Sequence, residues 1–161
     1  MKATDVKGLP VHPAGSVDTT GTVGDLILDL DERRVRALLV NPVQDSVQYV
    51  LEIGDVERVD TGSIIARRDG AIQPLADTPH VSVYPTFNRL FNEDAITDTG
   101  QNLGKVVDLT IQPGTWEIIE YDVVDNYVDA FEHGSKVIPA NRVHAGARMV
   151  MVSDIGGSEG D

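Results

Sequence analysis

The sequence predicts an all-β fold, two tandem copies of one small β-barrel with short helical turns. Three observations carry that expectation: an internal repeat, apolar residues alternating with period two, and turn residues at regular spacing. The repeat comes first. GTVGDLILDLDERRVRALLV, starting at Gly21, aligns with GKVVDLTIQPGTWEIIEYDV, starting at Gly104, 83 positions later. Asp25 meets Asp108, Leu26 meets Leu109, Leu28 meets Ile111, Val35 meets Ile118, Leu38 meets Tyr121 and Val40 meets Val123. The intervening turns, DLDERR and QPGTWE, have equal length. The match resumes between 50–56 and 137–143, 87 positions apart, so the second copy carries four extra residues in or near DNYVDAFEHG. Each copy closes on an apolar strand, 63–66 and 148–152.

Strands follow from local pattern. Val107, Leu109 and Ile111 alternate with Val106, Asp108 and Thr110, and Ile119, Tyr121 and Val123 alternate with Ile118, Glu120 and Asp122. Pro113 and Gly114 mark the turn between those two strands, because proline presets φ and glycine tolerates positive φ. Abundant Val, Ile and Thr suit a pleated, half-buried surface. Gly21, Gly24 and Gly104 stand where a strongly bent strand begins, and a missing side chain there eases barrel closure. No stretch sustains helical periodicity, and short helical turns are expected at 53–56 and 140–143. These signals place a first domain at 1–68, a linker at 69–85, a second domain at 86–154 and a flexible tail at 155–161. The linker holds Pro74, Pro79 and Pro85, while its Val81, Val83 and Tyr84 imply that part of it packs on a barrel.

The opening KATDVKGLPV, then GTVGDL at 21–26, the hairpin, the 50–56 element, NLGKVVD at 102–108 and VIP at 137–139 resemble the PRC-barrel domain family. The resemblance covers both repeats. That family includes the cytoplasmic domain of the photosynthetic reaction centre H subunit and the C-terminal domain of the ribosome maturation factor RimM. The resemblance implies a non-enzymatic protein-binding or scaffolding module, an accessory in a multi-subunit assembly, and it carries no active site to transfer. Both family members differ from this chain: the H subunit has an N-terminal membrane helix, and RimM pairs its PRC barrel with a different N-terminal barrel in a basic, RNA-related setting.

Composition and motifs point the same way. Asp and Glu outnumber Lys and Arg 26 to 13, for a net charge of −13, which argues against a broad nucleic-acid surface. With no cysteine the chain has neither disulfides nor thiolate ligands. No apolar run approaches a membrane span, the start lacks the apolar core of a secretory signal, and a soluble cytoplasmic protein is expected. No GxSxG, glycine-rich phosphate loop or GK[ST] occurs, so no catalytic residue and no cofactor is assigned. His12, His80, His133 and His144 lack metal-ligand spacing, and Asp25, Asp29 and Asp31 lack the glycine and final glutamate of a calcium loop, so no metal site is assigned either. The recurrence of Asp25 at Asp108 is expected to reflect a carboxylate bonding to backbone amides.

Two surface features suit a partner. Trp116 follows the Pro113-Gly114 turn, where an exposed indole would anchor an interface and a buried one would fill the core. Arg33, Arg34 and Arg36 form a basic turn that an acidic partner or an RNA backbone would contact. Val35, Ala37 and Leu39 make a wholly apolar strand face, expected to be covered by the linker, the second barrel or a second chain, the last giving a homo-oligomer. Besides a protein-binding module, the residues leave two other readings open: an RNA- or ribosome-linked assembly factor acting through the arginines, and a small-ligand or metal-binding barrel.

Overall fold

Alternation of branched apolar and polar side chains becomes two sheets in the computed structural model, which describes residues 1–125, 136–144 and 150–153. In the first half these residues form β1 (Pro10–Pro13), β2 (Gly21–Asp29), β3 (Arg34–Pro42), β4 (Tyr49–Glu52), β5 (Val56–Asp60), β6 (Ser63–Ala66) and β7 (Ile72–Pro74). They hydrogen bond in the order β5-β6-β1-β2-β3-β4-β7. The second half gives β8 (Asp94–Thr97), β9 (Asn102–Ile111), β10 (Ile118–Val124), β11 (Lys136–Pro139), β12 (Val143–His144) and β13 (Val150–Val152), ordered β11-β10-β9-β8-β13-β12. Read from opposite ends, the two orders are the same topology, with β7 added once. The match extends to strand sense: β1 runs parallel to β6, as β8 does to β13, and every other pairing is antiparallel.

The all-β class and the short helical turns are therefore present; 3-10 turns at Ile53–Asp55 and Ala140–Arg142 sit where the repeat places them. Closure differs from expectation. Among the described residues the end strands of each sheet do not pair with one another, so both sheets are open rather than closed barrels.

Each long hairpin carries two bulges at matching positions. Gly24 and Arg36 are the extra residues in the first hairpin, and Val107 and Ile119 in the second. A bulge moves every following side chain to the other face. So Val35 joins Leu38 and Val40 in the main core, whereas Ala37 and Leu39 point to the opposite side. The expected single face of Val35, Ala37 and Leu39 is thereby split at Arg36. Gly104 shows how tightly the hairpins bend: its φ is +126°, and a Cβ there would meet the Val124 carbonyl oxygen at 2.5 Å.

The repeats are joined by exchange. The helical turn α1 (Ala3–Val6) precedes the first repeat but packs on β9 of the second, and α2 (Phe87–Leu90) precedes the second but packs on β2 of the first. The Ile111 amide donates to the Met1 carbonyl at 2.7 Å, and the Leu28 amide donates to the Pro85 carbonyl at 2.8 Å. Asp25 and Asp108 fix the crossings. Asp25 Oδ1 accepts the Leu26 and Asn88 amides, while Asp108 accepts the Leu109 and Thr4 amides and the Thr4 hydroxyl. Each aspartate thus caps the helical turn that belongs to the other repeat, which is why it recurs. The hairpin turns also meet: the Val35 amide donates to Trp116 O at 2.9 Å and the Ile118 amide to Arg33 O at 2.8 Å. Arg33 and Trp116, at matching positions, both hold positive φ, 57° and 62°. One hydrophobic core runs through both repeats as a result.

Candidate functional site

Duplication allows each surface to be compared with its own copy. On the outer face of the first sheet, Ile27 on β2, Ala37 and Leu39 on β3 and Val50 on β4 form a second apolar cluster. Segment 69–85 covers it. Val81 is buried in this cluster, with Leu75 and Tyr84 packed against it, while Val83 points outward. The same segment supplies β7, which pairs with the outer edge of β4 through Tyr49–Pro74, Val50–Gln73 and Leu51–Ile72. Of the covers expected for Ala37 and Leu39, the linker is the one observed.

The matching face of the second sheet is built differently. The positions of Ile27, Ala37, Leu39 and Val50 are taken by Thr110, Glu120, Asp122 and Val137. Val50 is 1% exposed and Val137 52%. Among the described residues no strand pairs with the outer edge of β11, where β7 lies on β4 in the first sheet. Lys2 reaches this face from the exchanged N-terminal segment. Its Nζ donates to Asp122 Oδ2 at 2.7 Å and to Thr110 Oγ1 at 2.9 Å. The hydrogen bond to Asp122 raises the Lys2 pKa above its ordinary value; partial burial opposes the rise, and the charges of Asp122, Asp108 and Glu120 add to it. Asp122 is buried, and among the described residues its second oxygen, Oδ1, has no hydrogen-bond partner. Asp108 lies directly across from Asp122 on β9, and Glu120 lies across from Pro139 on β11. One ammonium among three carboxylates leaves an acidic face beside an open strand edge.

The residues singled out by sequence lie elsewhere. Arg36 is committed internally: its Nε and Nη2 both donate to Asp29 Oδ2, at 3.1 and 2.7 Å, and its guanidinium stacks 5.3 Å from the Tyr84 ring centroid. Burial pushes the Asp29 carboxyl up, but the Glu32 amide and Arg36 outweigh it and hold the group below the usual carboxylate range. Among the described residues no hydrogen bond or ion pair holds the side chains of Arg33 and Arg34, so the basic turn is split. Trp116 is 3% exposed and belongs to the core. Of the two readings of this residue, its burial bears out the core one and corrects the partner anchor.

His80 meets Glu52 at 3.0 Å, His12 lies beside the Pro13 carbonyl and His144 is exposed, while His133 falls outside the described residues. Among the described residues no three His, Asp or Glu side chains are grouped to hold a metal. A separate cavity of about 310 Å³ opens between the exchanged helical turns, lined by Thr4, Lys7, Phe87, Asn88 and Phe91. Lys7 bridges it by donating to Asn88 Oδ1 and lying 6.0 Å from the Phe87 ring centroid. No helix of the described residues is long and apolar enough to cross a membrane.

Lys2, Glu120, Asp122 and Val137 were not among the residues picked out from sequence. The signal was present in the alignment, where Ala37 and Leu39 become Glu120 and Asp122 while Val50 is kept as Val137. Its meaning depends on knowing that segment 69–85 covers only one of the two faces. No protein-family model matches the chain, and a search of curated proteins finds no match.

Proposed function

We propose that this protein is a non-enzymatic binding module of the PRC-barrel type that recognises another protein in the cytoplasm, as an accessory in a multi-subunit assembly. The observation that carries the reading is the asymmetry of the two matching faces. Segment 69–85 fills the first in cis, while among the described residues no strand pairs with the outer edge of the second, and its Val137 is exposed. A duplicated unit that seals one copy of a surface and leaves the other open has the makings of a receptor. The repeated topology and the sequence resemblance support the family part of the reading. Affinity purification of the full chain from native cells tests it. A protein partner recovered reproducibly is expected; repeated purifications without one would overturn it.

A further inference from the structure

The first repeat contains a worked example of how its outer edge and face are filled: a three-residue strand on β4, followed by a segment that lays Val81 over Ile27, Ala37, Leu39 and Val50. In the second repeat the edge is kept and the face has changed sign. An apolar follower such as Val81 would bury the half-exposed Glu120 without a partner, at a high desolvation cost. A cationic follower would instead pair with Glu120, beside the Asp122 carboxylate that Lys2 already holds. Lys136, the cation on β11 itself, is already paired with Asp125 at 3.1 Å and offers little repulsion.

From this we infer that the outer edge of β11 receives an extended segment of a partner protein by β-strand addition, and that the segment carries an apolar residue over Val137 and Lys or Arg over Glu120 and Asp122. Backbone hydrogen bonds along Lys136–Pro139 would give affinity, and the acidic face would select the charge. This assignment rests on the binding-module reading and adds the place and the chemistry of the partner.

The test is a titration of the isotope-labelled full chain, followed by amide NMR, with three capped synthetic peptides. One is basic and alternating, Lys-Val-Arg-Ile-Arg-Val-Lys; one is its acidic counterpart with Glu in place of each cation; the third is the basic peptide with its central Ile replaced by Pro. The basic peptide is expected to shift the amides of 136–139 together with Glu120 and Asp122, and to bind about tenfold more weakly when salt rises well above 0.1 M. The acidic peptide fails on charge and the proline peptide on strand pairing. Val137→Lys and Glu120→Lys, both at solvent-accessible positions, each reduce binding about tenfold, since edge lysines and a reversed charge oppose addition. Shifts centred on β5 or β7, equal binding of the acidic peptide, no shifts at millimolar peptide, or indifference to both variants would each overturn the assignment. A native partner still captured by the double variant would end this inference while leaving the binding-module reading intact.

Discussion

Replacing Asp25 with alanine removes the carboxylate that ties α2 of the second repeat to β2 of the first. Asp25 is 6% exposed, and its Oδ1 accepts the Leu26 amide at 2.8 Å and the Asn88 amide at 2.9 Å. The alanine variant leaves two amides without an acceptor. The buried one, on Leu26, costs about 1–3 kcal/mol, and the half-buried one, on Asn88, costs about 1 kcal/mol, as for a lost helix cap. A total of about 2–4 kcal/mol lowers Tm by roughly 4–16 °C in a chain of this size. Asp108→Ala removes the matching cap at a half-buried site where water can replace the carboxylate, and the loss there is about 1 kcal/mol. Chemical denaturation of wild type and both variants measures the difference. Hydrogen exchange then asks whether segment 86–90 is the part released. If Asp25→Ala lost less than about 0.5 kcal/mol, or less than Asp108→Ala, the capping argument would be refuted.

Other expectations follow from single side chains. Trp116 is the sole tryptophan, so intrinsic fluorescence reports on it alone: blue-shifted, poorly quenched emission is expected, and solvent-like emission from the native chain would contradict its burial. The Tyr121 hydroxyl is buried with no hydrogen-bond partner among the described residues, and burial, with a smaller contribution from Asp31, pushes its pKa well above the ordinary phenol range. Tyr121→Phe is therefore expected to hold or gain stability by up to about 1 kcal/mol in denaturant unfolding, and a loss of 2 kcal/mol would reveal a missed partner. Because the folded-state pKa of Asp29 lies below its reference of 3.8, its contribution is present above that value and is lost as pH falls through the folded pKa. Arg36→Met should flatten this part of the acid limb; an unchanged pH–stability curve would show that the pair contributes nothing.

Much of the fold was legible because repetition multiplies weak signals. Period-two alternation located the hairpins, and the 3-10 turns at Ile53–Asp55 and Ala140–Arg142 were visible as interruptions before the closing strands. The recurrence of Asp25 at Asp108 correctly announced a carboxylate bonded to amides, though not that the amides belong to the opposite repeat. Strand bulges were not legible. Arg36 and Ile119 have no signature that marks them as extra residues, and one such residue was enough to split Val35 from Ala37 and Leu39. Trp116 shows the limit of local reasoning. A residue after Pro-Gly reads as a projecting tip, but the tip abuts the matching turn of the other repeat, and long-range packing decides its burial. The candidate face was hidden for the same reason, since it stands out only by contrast with the cover that segment 69–85 lays on its copy.

The two matching faces of this duplicated unit differ in that segment 69–85 covers the first, and among the described residues nothing lies in that place on the second. Val50 and Val137 occupy equivalent positions and report on it directly. With methyl-labelled valines in the full chain and a soluble paramagnetic gadolinium chelate, the account predicts strong broadening of the Val137 methyl signals and none at Val50, in keeping with exposures of 52% and 1%. Equal protection of the two valines would contradict the account, because the second face would then be covered as the first is.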